Sequence, residues 1–169
     1  MTISITLKQY LEDHNVPYDT LEHNFSANST EAAERAHVSG KRVAKAVIIK
    51  CGSAFKMVLL PATRHVSFEL LQSIARGAEL ATEGELMTLF KDCDVGAIPA
   101  LGMAYGLAVI VDDSLVDDGD VFFEGGDHKT LVRMNAEAFE TMVHGTPHGK
   151  FSRDANTMKE KGFYHVAHS

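Results

Sequence analysis

The chain of 169 residues contains no tryptophan, only two cysteines and only four prolines. Its apolar runs are short. Val43–Ile49 is among the longest, against the roughly 20 residues that a membrane-spanning helix needs. Cys51 and Cys93 stand 42 positions apart, with no CxxC pair and no adjacent histidine pair. That spacing excludes a disulfide framework and a zinc site, and a reduced, cytoplasmic setting is expected. The N-terminal segment lacks a basic stretch followed by an apolar core, so a signal peptide is not expected. The motifs of the common hydrolases and nucleotide-binding enzymes are also missing: no G-x-S-x-G elbow, no phosphate-binding P-loop, no G-x-G-x-x-G after a strand, no HExxH. An enzyme built from what remains would suit a substrate that is already activated.

What is present describes one soluble domain. Hydrophobic residues make up 45% and charged residues 23%, a balance that buries a core and excludes a disordered chain. The formal charge of −7, taken as evenly spread, argues against a nucleic-acid partner, but it is unevenly spread. Residues 1–34 sum to −5, residues 66–127 to −11 and residues 128–169 to +2. Residues 35–65 carry seven cations (Arg35, Lys41, Arg42, Lys45, Lys50, Lys56, Arg64) and no acid. Such a stretch can contact phosphate whatever the total; a solvated surface balanced by the acidic middle is the alternative.

Patterning predicts a mixture of helices and strands without strict βαβ alternation, and therefore an α+β domain with a mixed sheet. A capping box at Thr6–Gln9 marks a first helix over about residues 5–14, and Ser29–Glu31 opens a second that Gly40 would end. Val43–Lys50 and Ala54–Leu60 form a hairpin. Ser67 and the box Thr82–Glu85 cap two further helices. Leu107–Val111, Asp120–Phe123 and Thr130–Met134 read as strands, and Asn135 caps a last helix ended by Gly145. The expected division is a domain over residues 1–145 and a polar extension over 146–169.

Three features could carry chemistry. Lys45 shares a strand face with Val43, Val47 and Ile49. It either guards an edge strand or aims its ammonium into a pocket that holds an anion. The loop Gly96–Gly102, with two glycines and Pro99, either makes a plain turn or presents rigid backbone N–H donors to a ligand. His128, before the strand at Thr130, either orients a ligand or merely caps the strand. The acids Asp112, Asp113, Asp117, Asp118 and Asp120 suggest a divalent-metal loop at first glance. Their spacing does not match an EF-hand, and solvated turn acids are the simpler reading. A metal-dependent phosphohydrolase using them is an alternative that a chelator would expose.

Four segments, in order, resemble one family: Ala32–Glu34 with Lys41–Ile49, Phe55–Ala62, Gly96–Gly102 and Gly126–Met134. They resemble the YbaK/prolyl-tRNA synthetase-associated (EbsC-like) editing domains over roughly residues 5–145. The resemblance implies a strongly curved mixed sheet flanked by helices. It also implies a free-standing trans-editing hydrolase (a deacylase) that cuts the ester of a mischarged tRNA, usually tRNA(Pro), without a metal or other cofactor. The implied partners are the 3′ end of an aminoacyl-tRNA and prolyl-tRNA synthetase, with no membrane role; a non-catalytic tRNA- or ligand-binding module of the same fold is the rival. By family position, Lys45 and the loop residues Gly96, Ala97 and Ile98 are catalytic. Pro99, Ala100, Gly102 and His128 line the substrate pocket, and Lys41, Arg42 and Lys45 meet the tRNA. One departure stands out: the family loop reads Gly-x-x-x-Pro, whereas here Ala100 holds the proline position and Pro99 comes one place early.

Overall fold

A computed structural model describes residues 3–115 and 119–154. Helix α1 (Ile5–Asp13) leads to β1 (Asp19–Glu22) and α2 (Ser29–Arg35), followed by the hairpin β2 (Ala44–Cys51) and β3 (Ala54–Pro61). Short elements come next: β4 (Arg64–Val66), α3 (Phe68–Leu71), β5 (Glu79–Leu80) and α4 (Glu83–Leu89). The chain closes with β6 (Ala108–Asp112), β7 (Val121–Glu124), β8 (Thr130–Met134), α5 (Ala136–Val143), β9 (His148–Gly149) and β10 (Ser152–Asp154).

The strands form three ladders rather than one sheet. The main ladder runs β5-β2-β3-β6-β9, with β2 antiparallel to β3 and β5, while β6 is parallel to β3 and β9. A second, antiparallel ladder runs β1-β8-β7, and β10 pairs with β4. A parallel bridge between Val43 and Phe122 joins the first two. The fold is therefore mixed α+β with a mixed sheet.

Alternation in the hairpin decides the layers. Ala44, Ala46 and Ile48 face the large core, where Met57, Leu59, Val109 and Val111 meet Leu7 and Leu11 of α1, Leu86 of α4 and Phe139 of α5. Val47 and Ile49 face the opposite way, onto Val58, Leu60, Leu71, Ile110 and Phe151. A third, small cluster gathers Ala32, Ala33, Val43, Ala62, Phe122 and Leu131.

Several caps form as expected: Ser67, Asn135 and the complete Thr82–Glu85 box. The first helix, expected over about residues 5–14, does start at Ile5, but Thr6 is not its cap. Ser4 is the N-cap, its hydroxyl accepting from Leu7 N, and the Thr6 N–H is donated to Asp92 Oδ2 instead. The second helix ends before Gly40: His37 takes the left-handed conformation (φ 59°), and Val38 N–H closes onto Ala33 O, a Schellman turn. The boundary at residue 145 also moves. Within the expected extension, β9 and β10 join the ladders and Phe151 is fully buried. Asp112 makes this possible, its carboxylate accepting from Phe151 N at 2.9 Å and Ser152 Oγ at 2.9 Å. Residues 155–169 lie outside the described residues.

Candidate functional site

Lys45 is buried, with 4% of its surface exposed. It sits on β2 between the second and third clusters, flanked on its face by Val43 and Val47. Among the described residues none hydrogen-bonds or ion-pairs with its ammonium. Burial alone pulls its pKa from 10.5 down to about 8, because the charged form loses water and gains nothing in return. It is not an exposed edge lysine: it pairs with Leu60 of β3 and is buried, although β5 meets β2 only at Ile49 and Lys50. A cation held this way has no counter-charge among the described residues.

The Gly96–Gly102 loop packs against the segment that bears His128. Gly96 has φ 92°, and a β-carbon there would fall 2.8 Å from Ala27 O and 3.1 Å from His128 Cε1; only glycine fits. Asp94 N donates to Gly126 O at 2.8 Å, tying the two loops together. Ala97, Ile98, Pro99, Ala100 and Gly102 are all buried. The Ala97 N–H is spent on Asp94 O at 3.1 Å. Among the described residues no acceptor meets the N–H groups of Gly96, Ile98, Ala100, Leu101 and Gly102. Those, and not that of Ala97, are the donors the loop has to offer a ligand.

His128 is held in a strained left-handed conformation (φ 63°). Its carbonyl accepts from Ser26 N at 3.0 Å, and Asp127 closes the turn by accepting from Lys129 N and Thr130 Oγ1. The imidazole is buried, its Nδ1 unpartnered, and its ring tilts against that of Phe25 at 5.0 Å. Phe25 is 57% exposed, an aromatic face at the mouth of the loop cluster.

Strand β7 connects Lys45 to this cluster. Its Phe122 bridges to Val43, the residue just before β2, and it runs directly into the loop that carries His128. At its end stands Glu124, which is fully buried with both carboxylate oxygens unpartnered among the described residues. Burial, and then the nearby charge of Asp127, push its pKa up to about 8. Sequence reasoning missed it; the available signal was an acid closing an otherwise apolar strand before two glycines.

The other candidates lie elsewhere. Lys41 is exposed on the turn before β2, but the Arg42 guanidinium lies in the space that a side chain at Gly119 would fill, and so is occupied in packing. Asp112 holds Phe151 and Ser152, and Asp113 pairs with His148 at 2.8 Å. Asp117 and Asp118 lie outside the described residues, and among those described no three His, Cys, Asp or Glu side chains gather to hold a metal. Cys93 is no ready nucleophile. Burial drives its thiol up to about 12, beside Tyr105 Oη at 3.1 Å.

The family model for aminoacyl-tRNA editing domains matches residues 23–142, a span that includes Lys45, the glycine loop and His128. The chain belongs to the aminoacyl-tRNA editing domain family. Solved structures share this fold at low identity. The hypothetical protein APE2540 aligns with a TM-score of 0.77 at 18% identity, covering 88% of this chain and 99% of that one. A protein described as a candidate trans-editing enzyme for prolyl tRNA synthetase aligns at 0.76 and 17%, covering 88% and 95%. A candidate signal transduction protein from Marinobacter aquaeolei VT8 aligns at 0.73 and 17%, over 91% of this chain but 32% of that one. A search of curated proteins gives no match. Among the described residues no helix is long and apolar enough to cross a membrane.

Proposed function

We propose that this editing domain is a free-standing, cytoplasmic deacylase that hydrolyses the ester between a wrongly attached amino acid and its tRNA, with tRNA(Pro) the first candidate and prolyl-tRNA synthetase a partner. The observation that carries the reading is the buried Lys45 ammonium without a partner, which the 3′-terminal phosphodiester of a tRNA would satisfy. An aminoacyl ester is already activated, so the protein has mainly to orient it and stabilise charge. The free N–H groups of Gly96, Ile98 and Ala100 supply donors for the oxygen of the scissile carbonyl as it becomes an oxyanion. Water, positioned by the adjacent ribose hydroxyl, adds to the carbonyl carbon. The ester C–O bond then breaks, and the departing ribose oxygen takes a proton.

His128, fixed by its turn against Gly96, lines the amino-acid end of the pocket. Pro99 and Ala100 shape the same wall; with proline one place earlier than in the family loop, the amino acid that fits is set by this chain's own loop. A pocket of limited size would admit a small residue and exclude a larger, correct one. Replacing Lys45 with alanine should abolish deacylation of a mischarged tRNA while circular dichroism shows an intact fold. Undiminished turnover by that variant refutes the assignment, and tRNA binding without hydrolysis by the native protein favours a binding module.

A further inference from the structure

The deacylase reading gives Lys45 and the glycine loop their tasks but leaves Glu124 without one. Fully buried carboxylates without a hydrogen-bond partner are rare, and each needs an explanation. Its position supplies one. Val43, just before β2, bridges in parallel to Phe122 of β7, and both side chains enter the same small cluster. Two residues further along each chain, alternation puts Lys45 and Glu124 on that same face. The two do not neutralise each other: no ion pair joins them among the described residues. A buried lysine and a buried carboxyl group thus share one face, both without a partner among the described residues.

An aminoacyl ester on a tRNA carries the complementary pair, a phosphate on one side of the ester and a free α-ammonium on the other. We propose that Glu124 receives the α-ammonium of the substrate, so that the enzyme's substrate class is aminoacyl esters with an unblocked amino group. The exposures order the contacts by depth. His128 keeps 9% and Lys45 4% of their surfaces, while Glu124 keeps 0%, so in the proposed complex the carboxylate is the deepest of the three contacts. Proton affinities also match. Glu124 holds its proton up to about pH 8, close to the roughly 7.7–8.0 of an α-amino group. Meeting a neutral amine, the acid can hand over its proton and leave carboxylate facing ammonium with no net proton taken up. Asp127 is the other acid facing Glu124, and its oxygens are already engaged by Lys129 N and Thr130 Oγ1.

This inference rests on the deacylase reading, and its test separates the two. The native protein would be given a charged tRNA that it deacylates, and the same tRNA after nitrous acid has converted the α-amino group to a hydroxyl of nearly equal size. Each rate is divided by the uncatalysed hydrolysis of that ester. The expected enhancement is about 10- to 100-fold greater for the amino ester, the effect of one charge-assisted hydrogen bond. Glu124→Gln should lose that factor on the amino ester and leave the hydroxy ester nearly unchanged. Equal enhancement of both esters by the native protein overturns the role of Glu124 and leaves the deacylase standing. Hydrolysis of neither ester, nor of any other charged tRNA, overturns both. The native comparison needs no variant to fold, and glutamine preserves the size of the side chain.

Discussion

Replacing Lys45 with methionine, a side chain of similar length, should make the protein more stable and inactive at once. The magnitude follows from the burial of the ammonium. Its pKa falls from 10.5 in the unfolded chain to about 8 in the fold. At about 1.4 kcal/mol per pH unit, keeping this lysine charged costs the native state about 3 kcal/mol below pH 8. Between about pH 8 and 10.5 the unfolded chain holds the proton and the native chain does not, so stability rises with pH and the cost fades. Methionine has no charge to bury at any pH. Urea unfolding of both proteins at a series of pH values should therefore give the variant an advantage of about 3 kcal/mol at pH 7, or about 6–12 °C in Tm. That advantage should decline by about 3 kcal/mol between about pH 8 and 10.5, with contributions of other groups cancelling in the difference. An oligonucleotide ending in CCA should raise the Tm of the native protein and leave that of the variant where it was. A variant no more stable than the native protein at pH 7, or an advantage that does not decline with pH, would show that the ammonium is satisfied within the fold. Lys45 would then have no need of an external anion.

Other consequences are as direct. Gly96→Ala should cost about 1–3 kcal/mol in denaturant unfolding, since its β-carbon would sit 2.8 Å from Ala27 O at φ 92°, and deacylation should fall as the loop shifts off His128. Asp112→Ala should cost about 2–3 kcal/mol by stranding the donors of Phe151 and Ser152, with limited proteolysis opening the chain between residues 146 and 154. Cys93→Ser should keep the rate within about threefold, because a thiol held near 12 is neither base nor nucleophile at neutral pH. For the native enzyme, kcat/KM corrected for spontaneous hydrolysis should fall as pH rises through about 8, where free Lys45 loses its charge; a flat profile to pH 9.5 would contradict that.

The hairpin was legible because alternating β-branched residues in Val43–Ile49 match the pleat, and Lys45 stood out as the cation breaking an apolar face. The Thr82–Glu85 box and the Asn135 cap were legible because both signals are local. What escaped was decided by distant contacts. Thr6 lost the N-cap position because Asp92, 86 positions away, takes its N–H. The polar stretch 146–154 shows one large apolar residue, Phe151, yet it joins the fold because Asp112 gathers its donors. Glu124 reads in one dimension as a solvated strand end, and only the bridge from β7 to Val43, just before β2, encloses it. Ala97 and Ile98 could not be separated by sequence, since what divides them is which N–H reaches Asp94.

The central claim is hydrolysis, and one assay meets it directly: deacylation of a panel of mischarged tRNAs, with alanyl, cysteinyl, seryl and threonyl esters among them, by the native protein beside Lys45→Ala. At least one ester should be cleaved about 100-fold or more above its spontaneous rate, within the range expected of positioning and oxyanion donors, and the variant should bring that ester back to background. Background rates for every ester with the native protein, or equal rates for the two proteins, would contradict the account.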